Sequence, residues 1–378
     1  MIPLSLYIHI PWCIRKCPYC DFNSHKSPEQ LPEEAYIDAL IADFEQDLRH
    51  YPQKKPLHSI FIGGGTPSLL SAQAYMRLFQ HIQALIPFEE DIEITLEANP
   101  GTIEHGKFSE YLAVGINRLS LGIQSFHPPH LQRLGRIHDA KQAHNAIEQV
   151  LQAGYTRFNL DLMYGLPEQT VTQALEDLRQ ALAYQPSHLS WYQLTIEPNT
   201  IFHKTQPTLP HEDGIAGMEE AGLDLLTANH MARYEISAFC RNDQMARHNL
   251  NYWLFGDYYG IGAGAHGKLT LSAPENIFRT QKYRQPKDYL DPHKSFLTQQ
   301  TAISHSALIF EFMLNTTRLE QAIPYALFSQ RTGLSIDCLQ PKLAIAGDLG
   351  FITLFPESWQ ITSLGRRFTN DLQAIFLD

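Results

Sequence analysis

The sequence predicts a parallel α/β architecture, a full or partial β/α barrel, followed by a small helical module. Three observations point there. Strand-like and helix-like segments alternate six or seven times. Glycine and polar residues gather where the strands end, where barrel enzymes keep their chemistry. After Gly267 the patterning changes character.

The candidate strands are Leu4–Ile10, Ser59–Ile62, Ile92–Glu97, Arg118–Ile123, Arg157–Met163, Leu189–Leu194 and Tyr234–Ala238. Each is a short apolar run. Between them lie helical periodicities. From Glu33, the residues Ile37, Leu40, Ile41, Phe44 and Leu48 share one face. Ser71 is placed as an N-cap ahead of Leu78, Phe79, Ile82, Leu85 and Ile86. Further helices are expected at His138–Ala153, Thr170–Ala183 and Asp213–Ala232. Strand ends lead into Gly63-Gly64-Gly65-Thr66-Pro67, Glu97-Ala98-Asn99-Pro100, Gln124-Ser125-Phe126 and Asp161 to Gly165, which favours a barrel over a doubly wound sheet.

A barrel domain is therefore expected over 1–270, an irregular connection over 271–304, and a C-terminal domain over 305–378. The connection is rich in Pro, Gln, Ser and Lys and lacks periodicity. The last domain shows helices near Ala307–Leu314, Leu319–Ser329 and Leu339–Ala346. A hairpin of Phe351-Ile-Thr-Leu-Phe and Trp359-Gln-Ile-Thr and a helix from Leu364 follow, a winged-helix-like order. Arg366-Arg367 is the only basic pair nearby, so a lid or docking role outweighs nucleic-acid binding.

The chain of 378 residues carries a net charge of −11, which argues against broad attraction to nucleic acid or anionic lipid. No run approaches a membrane span and no signal peptide is evident. Unpaired, clustered cysteines fit a reducing cytoplasm.

The chemistry starts at Cys13-Ile-Arg-Lys-Cys17-Pro-Tyr-Cys20. A glutaredoxin-like dithiol would leave Cys13 without a role. Zinc held by three Cys and His25 would close the site and leave the polar strand ends unexplained. A ferredoxin-type cluster wants a fourth Cys nearby, and Phe22 stands where one could have been. An Fe–S cluster with one open iron is the remaining option.

The C-x3-C-x2-C spacing resembles the cluster loop of the radical S-adenosylmethionine (SAM) superfamily. That resemblance implies a partial (β/α)6-type barrel and a [4Fe-4S] cluster on Cys13, Cys17 and Cys20, with SAM on the fourth iron. Gly64, Gly65 and Thr66 resemble the segment that receives the SAM methionine group. More narrowly, Tyr7-Ile-His-Ile-Pro-Trp-Cys13, Leu119-Ser-Leu-Gly-Ile-Gln-Ser-Phe126 and Asn159-Leu-Asp-Leu-Met-Tyr-Gly-Leu-Pro167 resemble the oxygen-independent coproporphyrinogen III oxidase family across nearly the whole chain. This implies SAM contacts from Tyr7, Tyr19, Glu97, Gln124, Arg136 and Asp161, types able to bond ribose, amino and carboxylate groups.

His248-Asn249-Leu250-Asn251-Tyr252-Trp253 is similar to the His-Asn-x-x-Tyr-Trp motif of the HemW-type heme-chaperone branch. The resemblance implies heme bound through His248, with Tyr252 and Trp253 beside it, and delivery to respiratory acceptor proteins, at the membrane where those are membrane-bound. The alternative is the oxidase, a decarboxylating dehydrogenase of coproporphyrinogen. The oxidase has a further Cys where Phe22 stands here, and residues ahead of its cysteine loop, whereas Cys13 lies near the start of this sequence. Gly262-Ala-Gly-Ala-His-Gly267-Lys268 nearly spells a phosphate loop, but Leu269 replaces the hydroxyl residue and no helix follows. It is assigned to close backbone packing near the barrel mouth, and His266 is left without a role.

Overall fold

A computed structural model describes residues 2–102, 106–271 and 277–377. The expected alternation is present: β1 (Leu4–Ile10), α1 (Glu33–His50), β2 (Leu57–Gly64), α2 (Ala72–Leu85), β3 (Phe88–Ala98), α3 (Lys107–Ala113), β4 (Arg118–Gln124), α4 (Ala140–Gln152), β5 (Phe158–Tyr164), α5 (Val171–Ala183), β6 (His188–Gln193) and α6 (Glu212–Ala228). β1 to β6 pair in sequence order, all parallel. The helices start where local chemistry tells them to. Ser71 Oγ accepts from the Ala74 N–H, and Asp139 with Gln142 and Thr170 with Gln173 form reciprocal capping boxes.

The predicted strand at Tyr234–Ala238 is instead broken at Ile236 and Ser237. β7 (Ala232–Glu235) and β8 (Ala238–Cys240) pair antiparallel, with a register shift at Ala238, and β8 runs antiparallel to β6. Helix α6 correspondingly stops at Ala228, since Asn229 caps it and His230 takes a left-handed φ of 58°. α7 (Arg247–Trp253) then leads into β9 (Asp257–Ile261), which lies parallel to β1 on its free side and makes a seventh parallel strand.

Among the described residues of 271–304, two strands stand where an irregular connection was expected. β10 (His266–Thr270), β11 (Ile277–Lys282) and β12 (Leu297–Ala302) form an antiparallel extension of the same sheet. The order β12-β11-β10-β9-β1-β2-β3-β4-β5-β6-β8-β7 has two free ends, so the barrel is partial. β12, Leu-Thr-Gln-Gln-Thr-Ala, is mostly exposed and carries no apolar alternation for a sequence pattern to catch.

Within the C-terminal part, helices His305–Thr316, Tyr325–Thr332 and Gln340–Asp348 pack with a three-stranded sheet of Ile323–Pro324, Ile352–Leu354 and Ser358–Ile361. The helix expected from Leu319 begins only at Tyr325. Pro324 favours extended backbone at Ile323, which pairs with Trp359. This part packs on the α7 end of the barrel: Phe255 and Leu250 join its apolar core, and Arg318 bonds Glu235 at 3.2 Å.

One buried charge cluster ties the sheet extension to the barrel. Lys282 of β11 donates to Asp43 Oδ1 at 2.5 Å and Asp47 Oδ1 at 2.6 Å on α1, and all three side chains are 0% exposed. Tyr289 OH donates to Asp43 Oδ2 at 2.7 Å. Removing the cation would leave two carboxylates in an apolar surround. Lys282→Ala is expected to lose about 3–5 kcal/mol of unfolding free energy in denaturant titrations. A loss below about 1 kcal/mol would show that the cluster does not hold the extension in place.

Candidate functional site

The strands alternate with period two. Leu4, Leu6, Ile8, Ile60, Ile62, Leu96, Leu119 and Leu160 are buried in the hydrophobic core, and the residues alternating with them are polar apart from Phe61. In the barrel these polar side chains satisfy one another. Ser5 and Ser59 hydroxyls meet at 2.8 Å, and Asn159 Nδ2 donates to Asp161 at 2.7 Å and to Ser120 at 2.8 Å. His188 Nδ1 lies 2.7 Å from Asn159 Oδ1. The lumen is thus a polar, pre-bonded surface on which a polar ligand can be received.

At the barrel mouth, a cavity of about 600 Å³ collects most of the predicted residues. Cys13, Cys17, Cys20, Tyr19, Gly64, Gly65, Thr66, Glu97, Gln124, Arg136 and Asp161 all line it. The cysteine loop is clamped by a short parallel pairing of Trp12–Cys13 with His25–Lys26. The three thiols are free, and burial raises the Cys13 and Cys20 thiols above their ordinary range. Among the described residues, no three His, Cys, Asp or Glu side chains already stand close enough to hold a single ion. His25, the alternative zinc ligand, turns elsewhere: its Nε2 lies 3.1 Å from the Arg284 carbonyl.

The glycine run is explained by contact with this loop. Gly65 N–H donates to Ile10 O and Thr66 N–H to Trp12 O, both at 2.7 Å. A Cβ on Gly65 would sit 2.5 Å from the Trp12 carbonyl oxygen. Gly64 has φ 112°, and its missing Cβ would lie 2.6 Å from the His9 ring.

The polar set has unfilled capacity. Arg136 Nη2 donates to Gly122 O at 2.7 Å, Nη1 lies 3.7 Å from Cys17 Sγ, and Nε is buried without a partner among the described residues. Glu97 accepts from the Gly64 N–H at 3.1 Å. Burial first, then the nearby Asp161, pushes its carboxyl up to about 8. Burial also raises Asp161, against hydrogen bonds from Asn159 and Ser120. Two carboxyls with raised proton affinity, one guanidinium with a spare donor and a glycine backbone at the cavity wall suit a zwitterion carrying an ammonium, a carboxylate and hydroxyls. The donor set fits SAM, and the thiols fit the iron cluster beside it.

Three predicted residues, Tyr7, Tyr252 and His248, do not line this cavity. Tyr7 lines a second cavity of about 730 Å³, which adjoins the first and shares Phe22, Gly64, Glu97 and Trp253 with it. Tyr252 and Trp253 also face this second cavity. His248 lines neither. It is 6% exposed, stacks on Phe61 with ring centroids 3.9 Å apart, and its Nδ1 is 3.5 Å from Glu93 Oε1, a charge contact rather than a hydrogen bond. Burial lowers its proton affinity, against the pull of Glu93.

Glu93 and Phe61 were missed by the sequence reading. Glu93 is fully buried and accepts from Arg157 Nη2 at 2.5 Å and from the Arg247 N–H, at the start of α7, at 2.8 Å. The signal was available: Glu93 and Glu97 lie four apart on one strand and so share its lumen face. Arg279 and Arg284 at the second cavity fell within the stretch read as irregular.

The comparisons with known proteins fit this geometry. The Radical SAM superfamily model matches residues 7–181, and the HemN C-terminal domain model matches 303–368. The heme chaperone HemW of Haemophilus influenzae is 49% identical over 99% of this chain and 98% of its own length. That of Escherichia coli is 47% identical over the same shares. The chain belongs to the HemW family. As a radical SAM protein, it takes a [4Fe-4S] cluster and SAM as cofactors. The solved Escherichia coli coproporphyrinogen III oxidase, HemN, superposes with a TM-score of 0.83 over 99% of this chain and 90% of that chain. At 23% identity it shows a shared fold. No helix of the described residues is long and apolar enough to cross a membrane.

Glu97 gives this family member a pH signature. Its folded carboxyl titrates near 8, above the ordinary 4.5, so between these values the folded protein holds a proton that the unfolded chain has released. Stability from this group is therefore greatest below 4.5 and falls as pH rises towards 8, by up to about 1.4 kcal/mol per pH unit. Without SAM, Glu97→Gln is expected to unfold at higher denaturant than wild type at pH 8, the gap narrowing at pH 5. An equal gap at both pH values would place the Glu97 proton wrongly.

Proposed function

We propose that this protein is a heme chaperone, taking up heme and passing it to acceptor proteins, respiratory ones among them. The observation that supports this best is the second cavity. It is within the size range of small-molecule sites, has aromatic walls, and adjoins the cysteine cavity. Tyr252 and Trp253, from the motif shared with heme chaperones, present ring surface to it. The names of the relatives at 49% and 47% identity point the same way.

In this reading Cys13, Cys17 and Cys20 hold the cluster, and SAM lies between the glycine run and Glu97, Gln124, Arg136 and Asp161. The cluster supplies one-electron chemistry to SAM when both are bound. The chain's own residues position it. Arg136, whose guanidinium is weakened by burial but more strongly held charged by Tyr19 and Cys17, stands by the thiols to take a carboxylate. Gln124 is fixed by the Tyr192 hydroxyl at 2.9 Å. Tyr7, donating toward His9 Nδ1 at 2.8 Å, stands on the cargo side, in the second cavity. His248 is proposed as a heme ligand reached once the Phe61 ring swings off it.

The coproporphyrinogen oxidase reading has the shared fold in its favour. Against it, Phe22, 61% exposed between the two cavities, offers a hydrocarbon ring where that enzyme has a thiol.

Three experiments test the proposal, and the second separates the two readings. Anaerobic reconstitution should yield about four irons per chain in wild type and none in Cys17→Ser; a tightly held zinc in place of iron would refute the cluster assignment. Reduced, SAM-loaded protein should bind heme and release it to an apo-acceptor without converting coproporphyrinogen. Formation of protoporphyrinogen would instead establish the oxidase. His248→Ala should lose most heme uptake, and full retention would remove that residue from the heme site.

A further inference from the structure

We infer that His266 supplies an imidazole ligand to the heme iron from the mouth of the second cavity, with Arg284 beside it to pair a propionate. This rests on the heme-cargo reading and adds a binding site for the cargo opposite the α7 motif.

Two histidines line that cavity, and they differ in what their rings already do. His9 is 5% exposed and committed on both nitrogens, to the Tyr7 hydroxyl and to Asn23 O, each at 2.8 Å. His266 is exposed, and its ring has no hydrogen bond or ion pair among the described residues. Partial burial at the wall, with Arg279 and Arg284 near, lowers its proton affinity. A neutral imidazole with a free lone pair is the form that ligates iron without releasing a proton.

The backbone beneath His266 is fixed. It opens β10, pairs with Gln281, and packs so closely on the chain before it that a Cβ on Gly260 would lie 1.9 Å from the His266 carbonyl oxygen. A ligand on a rigid strand end can hold a metal in one place. This also accounts for the glycine-rich segment around it, which failed as a phosphate loop: its glycines let the strand end approach β9.

The cations of the cavity sort in the same way. Lys268 is bound to Asp257 at 3.1 Å, and Arg279 to Glu311 at 2.5 Å and to the Tyr258 hydroxyl at 2.8 Å. Arg284 is exposed at the rim, and only its carbonyl is used, by Asn23 and His25. Its guanidinium has no partner among the described residues. A planar dicarboxylate with a ligand-hungry metal matches an unpaired guanidinium, an unpaired imidazole and the Tyr252 and Trp253 rings facing them.

The test uses the full-length protein titrated with hemin, read by the Soret band and by electron paramagnetic resonance of the ferric iron. His266→Ala should lower affinity about tenfold or more and change the ligand-field signature. Added free imidazole should restore the wild-type spectrum. Arg284→Gln should weaken hemin severalfold and leave the affinity for hemin dimethyl ester unchanged. His293→Ala, an exposed histidine far along the chain, serves as the comparison, and retained cluster absorption reports folding. Unchanged spectrum and affinity in His266→Ala, with wild type binding hemin, would overturn this inference and leave the chaperone reading standing. A wild-type protein that takes up no hemin would instead defeat the chaperone reading itself.

Discussion

The site depends on one buried carboxylate. Glu93 sits at 0% exposure in the lumen, where an isolated ion would be far too costly. It persists charged, held down to about 2, because against the desolvation stand His248, Arg118 and Arg157. It also accepts the first N–H of α7. That last bond carries the consequence. A helix start with a fixed anion is stabilised and oriented, so Glu93 of β3 sets where α7 enters the barrel. Tyr252 and Trp253, one and a half turns on, are thereby brought to the cavity wall, and His248 is drawn down onto Phe61.

The open barrel follows from the same economy of polar groups. A sheet whose inward residues are Ser, Asn, Asp, Glu and Arg cannot close on a dry core, because each would need a partner inside. Here the lower lumen is satisfied by its own network, and the upper lumen is left with raised carboxyls at Glu97 and Asp161 and a spare Arg136 donor. The unsatisfied end is the end that faces the cysteine loop. Unequal satisfaction along the strands, rather than any single residue, makes the mouth a ligand site.

The parallel strands, their helices and the mouth of the barrel were legible in the sequence. Apolar period and strand-end glycines report local physics, and Glu97, Gln124, Arg136 and Asp161 do converge with the three cysteines. What was not legible depended on partners distant in the chain. β12 looks irregular because its side chains are solvated, and its strand geometry comes from pairing to β11. Tyr7 precedes the cysteines yet lines the other cavity, whose wall includes Tyr258 of β9 and His266 and Lys268 of β10, far along the chain. His248 was expected at a cargo surface, but the depth of α7 is fixed by Glu93, 155 positions away in the wrong direction for any local pattern to reveal.

The two cavities share a wall of four residues, and its composition bears on what can pass between them. Phe22, Gly64, Glu97 and Trp253 border both. Phe22 and Trp253 are apolar faces, and the Trp253 N–H is buried without a partner among the described residues, with Arg318 stacked 4.3 Å from its ring centroid. Glu97 is the only titratable member, and it carries the proton near neutrality. The other three members, Phe22, Gly64 and Trp253, carry no ionisable group. Glu97 is among the residues that would hold SAM, and its charge is the one property of this shared wall that can change with pH.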